Sequence, residues 1–172
     1  MATIEKVFSD HAIARDASSQ RMLPWIALCA VITGSLDLVF AIVWWAFQGV
    51  APIRIFQSVA AWVVGRDIAI NGGLTTAVFG FLVQCGVMAL IAALYFRLSR
   101  IDARLRQQPL RWGALYGAIV YAIQHLIVVP YFSAVAPSPL PRLDWMLACL
   151  IVYVTLVGIP CALFARAFVR DR

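Results

Sequence analysis

Charged side chains are scarce in this sequence. Asp, Glu, Lys and Arg make up 13% of its 172 residues, roughly half their share in ordinary soluble domains. Histidine is scarcer still, with His11 near the start and His125 inside an apolar run. One histidine among the apolar runs excludes bis-histidine haem ligation by a single chain, and no zinc-ligand spacing is present. The four cysteines, Cys29, Cys85, Cys149 and Cys161, all lie in apolar runs and form no C-x-x-C pair. They read as small buried hydrophobes rather than as a redox or metal motif. No Gly-rich phosphate loop or nucleic-acid motif accompanies the net charge of +6. The expectation is therefore no cofactor, no metal and no nucleic-acid partner.

Hydrocarbon is what the chain has in excess. Hydrophobic residues are 63% of it and the mean hydropathy is +0.89. A soluble core of this length cannot hide so much apolar surface, so lipid must solvate it. Crossing the hydrocarbon takes about 20 mainly apolar residues as a helix. Four segments qualify, at about 24–47, 74–96, 112–132 and 144–168. Trp25 opens the first, and Trp44 and Trp45 close it, as aromatic residues at the two interfaces would. The expected fold is all-α: a polytopic membrane protein, one domain over 1–172, built as a bundle of four transmembrane helices.

The basic residues set the orientation. Eleven of them, including Arg97, Arg100, Arg104, Arg106 and Arg111 between the second and third spans, fall on one side. Only Arg54, Arg66 and Arg142 fall on the other. Positive charge marks the cytoplasmic side, which places both termini there. The segment from Arg97 to Arg111, with Leu98, Ile101 and Leu105 at helical spacing, reads as an extension of the second span along the headgroups. Its Arg97, Arg100, Arg104 and Arg106 suit anionic lipid. The first 22 residues are mixed in charge, and the apolar run after them exceeds the roughly 7–15 residues of a signal-peptide core. They are expected to stay as a cytoplasmic tail in which Ile4, Val7, Phe8 and Ala12 form a small interfacial helix. On the outer side, Pro137, Pro139 and Pro141 make a stiff, extended connector.

The stretch PIRIFQSVAAWVVGRD, residues 52–67, is too short to be a fifth span. Its apolar run, 53–64, covers about 18 Å as a helix against about 30 Å of hydrocarbon. Pro52 and Gly65 suit a helix start and stop. Arg54, Gln57, Ser58, Ala61 and Gly65 project into one narrow arc. The expectation is a re-entrant or interfacial helix in the outer leaflet, with this stripe packed on protein.

Asp37 lies near the middle of the first span, where an acid costs about 2.5–3.5 kcal/mol and faces the bundle interior. Counting from the cytoplasmic ends at about 1.5 Å per residue puts Asp37, Gln84, His125 and Thr155 at similar depths of about 16–20 Å. Gly113, Gly117, Tyr121 and His125 share one face of the third span, where the glycines permit close packing. His125 and Arg54 are both candidate partners for Asp37, and an Asp/His pair in low dielectric could exchange protons. Gly158 and Pro160 are expected to kink the fourth span. A hydrolase triad of Ser58, His125 and Asp37 has no support in spacing, and the loops are too small for a polar substrate, so an enzyme is not the favoured reading.

Read together, GSLDLVFAIVWW, GVAPIRIFQSVAAWVVGRD, NGGLTTAVFGF and GALYGAIVY resemble a group of small uncharacterised bacterial inner-membrane proteins. That group has four predicted spans and a P-x-R-I-x-Q-S-x-A segment after the first. The resemblance covers about residues 30–135. It implies the topology and a bacterial inner membrane and carries no activity with it. Two functions are compatible with the residues. One is a small transport or proton-handling protein centred on Asp37 and His125. The other is a non-catalytic scaffold or accessory subunit that holds lipid or a partner protein. A homo-oligomer through Gly113 and Gly117 is also compatible with the sequence, unless the bundle itself uses that face.

Overall fold

The computed structural model describes residues 2–134 and 142–170, and for residues 2–20 the backbone alone. The Pro137, Pro139 and Pro141 connector lies outside the described residues, as do the side chains of Ile4, Val7, Phe8 and Ala12. Among the described residues there is no strand. Four helical stretches are long and apolar enough to cross a membrane: Arg21–Ala46, Gly73–Ile101, Pro109–Phe132 and Leu143–Arg170. Only 28% to 39% of the most apolar part of each is buried, so most of their hydrocarbon faces outward. Leu36, Val43, Leu82, Leu90, Leu147 and Ile151 are among the exposed side chains, an apolar surface suited to contact with lipid.

The first span belongs to one helix, α1, Ala2–Ala46, so the backbone of the expected tail continues the span rather than forming a separate helix. Between the first two spans lie α2, Pro52–Val64, and α3, Arg66–Asn71. Pro52 starts α2, where its fixed φ fits and its missing N–H costs nothing. Gly65 ends α2 at φ 81°, a conformation that side chains with a Cβ avoid, and its carbonyl then accepts the Ala69 amide at 3.1 Å to begin α3. The second span is α4, Gly73–Ile101.

α2 packs along the first turns of α4. A Cβ at Gly80 would run into the carbonyl of Phe56 and approach the Ala60 amide nitrogen to 3.1 Å, so the backbones touch. The face that α2 buries is Ile55, Val59, Ala60 and Ala61 with Gln57. Of the expected stripe, Gln57 and Ala61 pack on protein, whereas Arg54 and Ser58 face outward, a correction for those two residues. The stripe has local means of satisfying itself: Ser58 Oγ donates to the Ile55 carbonyl at 2.7 Å, while apolar area drives the other face inward.

The link between the second and third spans also departs from expectation. α4 runs on to Ile101, then breaks at Asp102, whose backbone is extended and whose Oδ1 accepts the Arg104 amide at 2.8 Å. A single turn, α5, Arg104–Gln107, follows before Pro109 opens α6, Pro109–Ile123. Up to Ile101 the segment extends the second span as expected; from Asp102 it is a folded turn rather than a continued helix.

The third and fourth spans each contain a π-helical segment, Gln124–Val128 and Tyr153–Gly158. Each precedes a proline. Pro130 lies in α7, Val129–Phe132, and Pro160 in α9, Ile159–Arg170. A proline inside a helix removes one N–H and crowds the carbonyl four residues back, and a wider turn relieves both. In the fourth span, where a kink was expected, that turn joins α8, Leu143–Val152, to α9 through residues that keep right-handed helical dihedrals.

The spans assemble as two antiparallel pairs, the first with the second and the third with the fourth. The fourth span also packs on the first and second. Trp25 meets Phe164 and Phe168 edge to face at 6.3 and 6.4 Å, and Phe96 meets Phe168 at 6.0 Å. At the other end Trp145 stacks on Phe40 at 5.9 Å and lies 5.2 Å from Trp45. Alternating span direction gathers Arg21, the arginines of residues 97–111, Arg166 and Arg170 at one end of the bundle. Arg54, Arg66 and Arg142 lie at the other, where Arg142 and Asp144 form an exposed ion pair at 2.7 Å.

Candidate functional site

Small residues let the first two spans approach each other. Gly34 lies against Gln84 and Met88; a Cβ there would sit 3.7 and 3.4 Å from their Cγ atoms. One turn further along α1, Asp37 receives a hydrogen bond from Gln84 Nε2 at 2.6 Å. Gln84 is 1% exposed, and its Oε1 has no donor among the described residues. Asp37 is half-buried, on a helix that also packs on the Tyr153–Gly158 segment of the fourth span.

The glycine face of the third span is spent on the fourth. A Cβ at Gly117 would collide with the Tyr153 carbonyl, and one at Gly113 would come within 2.8 Å of the Gly158 carbonyl. This face is therefore closed to a second copy of the chain. The docking brings Tyr153 beside the upper part of the same face. His125 stacks on Tyr121 at 4.7 Å and meets Tyr153 edge to face at 5.1 Å, and the two tyrosines are 5.7 Å apart. His125 Nδ1 is buried and has no hydrogen-bond partner among the described residues. The neighbouring Gln124 is 6% exposed, and its Nε2 also lacks a partner among them.

Asp37 is thus paired with Gln84 rather than with His125 or Arg54. The imidazole is occupied by the two tyrosines because the glycine contact delivers Tyr153 to it. Tyr153 meets the His125 ring from a segment that also packs on α1, the helix of Asp37. Arg54 stays at the surface, donating from Nη1 to Gln57 Oε1 at 3.0 Å and to the Ile70 carbonyl at 3.3 Å. Gln57 Nε2 donates to the Gly73 carbonyl at 3.0 Å. Arg54 and Gln57 together tie α2 to the turn that starts α4. Thr155 leaves the layer: it is exposed and donates to the Ile151 carbonyl of its own helix at 2.7 Å. Arg97, Arg100 and Arg104 are exposed at the basic end, with Arg106 half-buried.

Tyr153 and Gln124 are the members of the layer that sequence reasoning missed. Gln124 was signalled by polarity beside His125. Tyr153, five residues before Gly158, was signalled only as the tyrosine nearest the glycine that the third span needs. Chemically, the layer offers one carboxyl, two carboxamides, an imidazole and two phenols inside an apolar bundle. Among the described residues no group of three or more His, Cys, Asp or Glu is placed to hold a metal ion. No family model, curated protein or solved structure matches the chain.

Proposed function

We propose that the chain is a proton-handling or small transport protein of a bacterial inner membrane, with both termini in the cytoplasm and Asp37 as its proton site. The observation that carries this reading is the Asp37–Gln84 pair, at 2.6 Å and with Gln84 Oε1 unused. An ionised Asp37 accepts from Nε2 and offers Oε1 nothing. A protonated Asp37 donates to Oε1 while still accepting from Nε2, closing a two-bond ring between acid and amide. One proton therefore changes how many hydrogen bonds this buried pair makes, and buried polar groups carry a cost when left unpaired. Tyr153 and then His125 are the next groups able to take part in proton exchange.

The experiment is proton flux into vesicles holding the purified chain and a pH-sensitive dye. The wild type should collapse an imposed pH gradient faster than protein-free vesicles, and Asp37→Asn, with helical content unchanged, should not. Equal flux in the two proteins, or no flux above empty vesicles, removes the reading.

A second reading, a scaffold or accessory subunit, is favoured by the backbone-to-backbone closure of the third and fourth spans through Gly113, Gly117 and Gly158. In this reading the basic end contacts anionic lipid of the inner leaflet, and co-purification of a membrane partner in mild detergent is the measurement that supports it.

A further inference from the structure

At the basic end the second and third spans separate. Tyr95 and Tyr116 meet edge to face at 4.9 Å and close the deep end of the gap, held by the Tyr116 hydroxyl donating to the Ile91 carbonyl at 2.6 Å. Toward the end of the bundle a cavity of about 290 Å³ opens. Leu98, Ile101, Leu105, Trp112, Leu115 and Ile119 line it, and Asp102 is the one charged residue on its wall. α5 folds over it, fixed by the Tyr95 hydroxyl donating to the Leu105 carbonyl at 3.0 Å. The exposed flanks of the cavity, Leu98, Ile101, Leu115 and Ile119, are part of the apolar surface suited to contact with lipid.

The chain beside this cavity is basic. Leu105 lines it, and its chain neighbours are Arg104, exposed, and Arg106, half-buried; Leu98 follows the exposed Arg97. None of these three arginines forms an ion pair among the described residues. An occupant must be apolar along its length and anionic at one end, and it must reach the cavity from the lipid side. We propose that the cavity is a binding site for an anionic phospholipid, with one acyl chain against Trp112 and Leu115 and the phosphate on Arg104 and Arg106. The proposal rests on the reading of this end as the headgroup side of the membrane. It adds a defined site to what would otherwise be a diffuse attraction between basic residues and an anionic surface.

Bromine on an acyl chain quenches tryptophan emission on contact. The full chain is reconstituted in vesicles containing phosphatidylglycerol or phosphatidylcholine brominated on the acyl chains. The share of Trp112 is the difference between wild type and Trp112→Phe. Two arginines near an anionic headgroup favour it roughly thirtyfold. The Trp112 share should therefore be quenched at roughly thirtyfold lower mole fraction of the brominated anionic lipid than of the zwitterionic one. Arg104→Gln with Arg106→Gln should erase that difference. Equal quenching of Trp112 by both lipids overturns the site, as does a preference that survives the double substitution. If the remaining tryptophans alone favour the anionic lipid, the basic end attracts lipid diffusely and the site fails while the orientation stands. No preference at any tryptophan removes both the site and the lipid contact of the basic end.

Discussion

The side-chain amide of Gln84 donates to the carboxylate of Asp37 at 2.6 Å across the interface between the first and second spans. A depth estimate puts both residues near mid-bundle, and the structure adds that they face each other. Gln84→Leu leaves an acid without its partner in an apolar interior. Hydrogen bonds between membrane helices are worth about 0.6 kcal/mol on average and up to about 1.7 kcal/mol, so Gln84→Leu should lower stability by that order. Replacing both partners, Asp37→Leu with Gln84→Leu, should be neutral or stabilising, because no buried polar group is then left unpaired. Denaturant unfolding in mixed micelles checks the pair. A loss of stability in the double variant as large as that in Gln84→Leu contradicts this arrangement.

The glycines separate into two kinds. A Cβ at Gly117 meets backbone, whereas one at Gly86 meets nothing within 4 Å. Gly117→Ala should cost about 1–3 kcal/mol as overpacking against the fourth span. Gly86→Ala should gain up to about 1 kcal/mol from helix propensity. Thermal unfolding of the two variants should move in opposite directions.

Cys29 and Cys161 come from spans 132 residues apart in the chain, and their sulfurs lie 3.7 Å apart with both side chains fully buried. A membrane-permeant thiol oxidant should join them within one chain. With a protease site placed in the 135–141 connector, the cleaved halves should then stay together until reductant is added. Cys29→Ser should abolish the cross-link, and Cys85→Ser should leave it intact. Halves that part without reductant in the wild type would show that the first and fourth spans are not packed this way.

Tyr153→Phe keeps the ring that packs on Tyr121 and His125 and removes its hydroxyl from the polar layer. Under the proton-handling reading it should retain the melting temperature and slow proton flux several-fold. Unchanged flux would exclude the Tyr153 hydroxyl from the route.

The fold was legible because the length of an apolar run is intrinsic to the sequence. The expected 74–96 and 112–132 became Gly73–Ile101 and Pro109–Phe132, and 53–64 became Pro52–Val64. Counting along a helix gives height, which is why Asp37 and Gln84 emerged as candidates. It does not give direction relative to neighbours, which depends on which spans pack together. The partner of Asp37, the outward turn of Arg54 and the place of Tyr153 all depend on that packing. Thr155 and Ser58 show a further limit. A hydroxyl can be satisfied by a carbonyl three or four residues back, so its presence in a span does not mark an interior face.

The partner of Asp37 lies 47 residues downstream, in the very next span. The costly acid is therefore sheltered by a helical hairpin that is complete once α4 has left the ribosome. His125 and Tyr121 wait for Tyr153, but they share the second hairpin with it and are accommodated there in turn. Biogenesis can proceed as two insertion events, each hiding its own polar groups from lipid. The later meeting of the hairpins along Trp25, Cys29 and Cys161 is left to apolar and sulfur contacts that tolerate waiting in the bilayer.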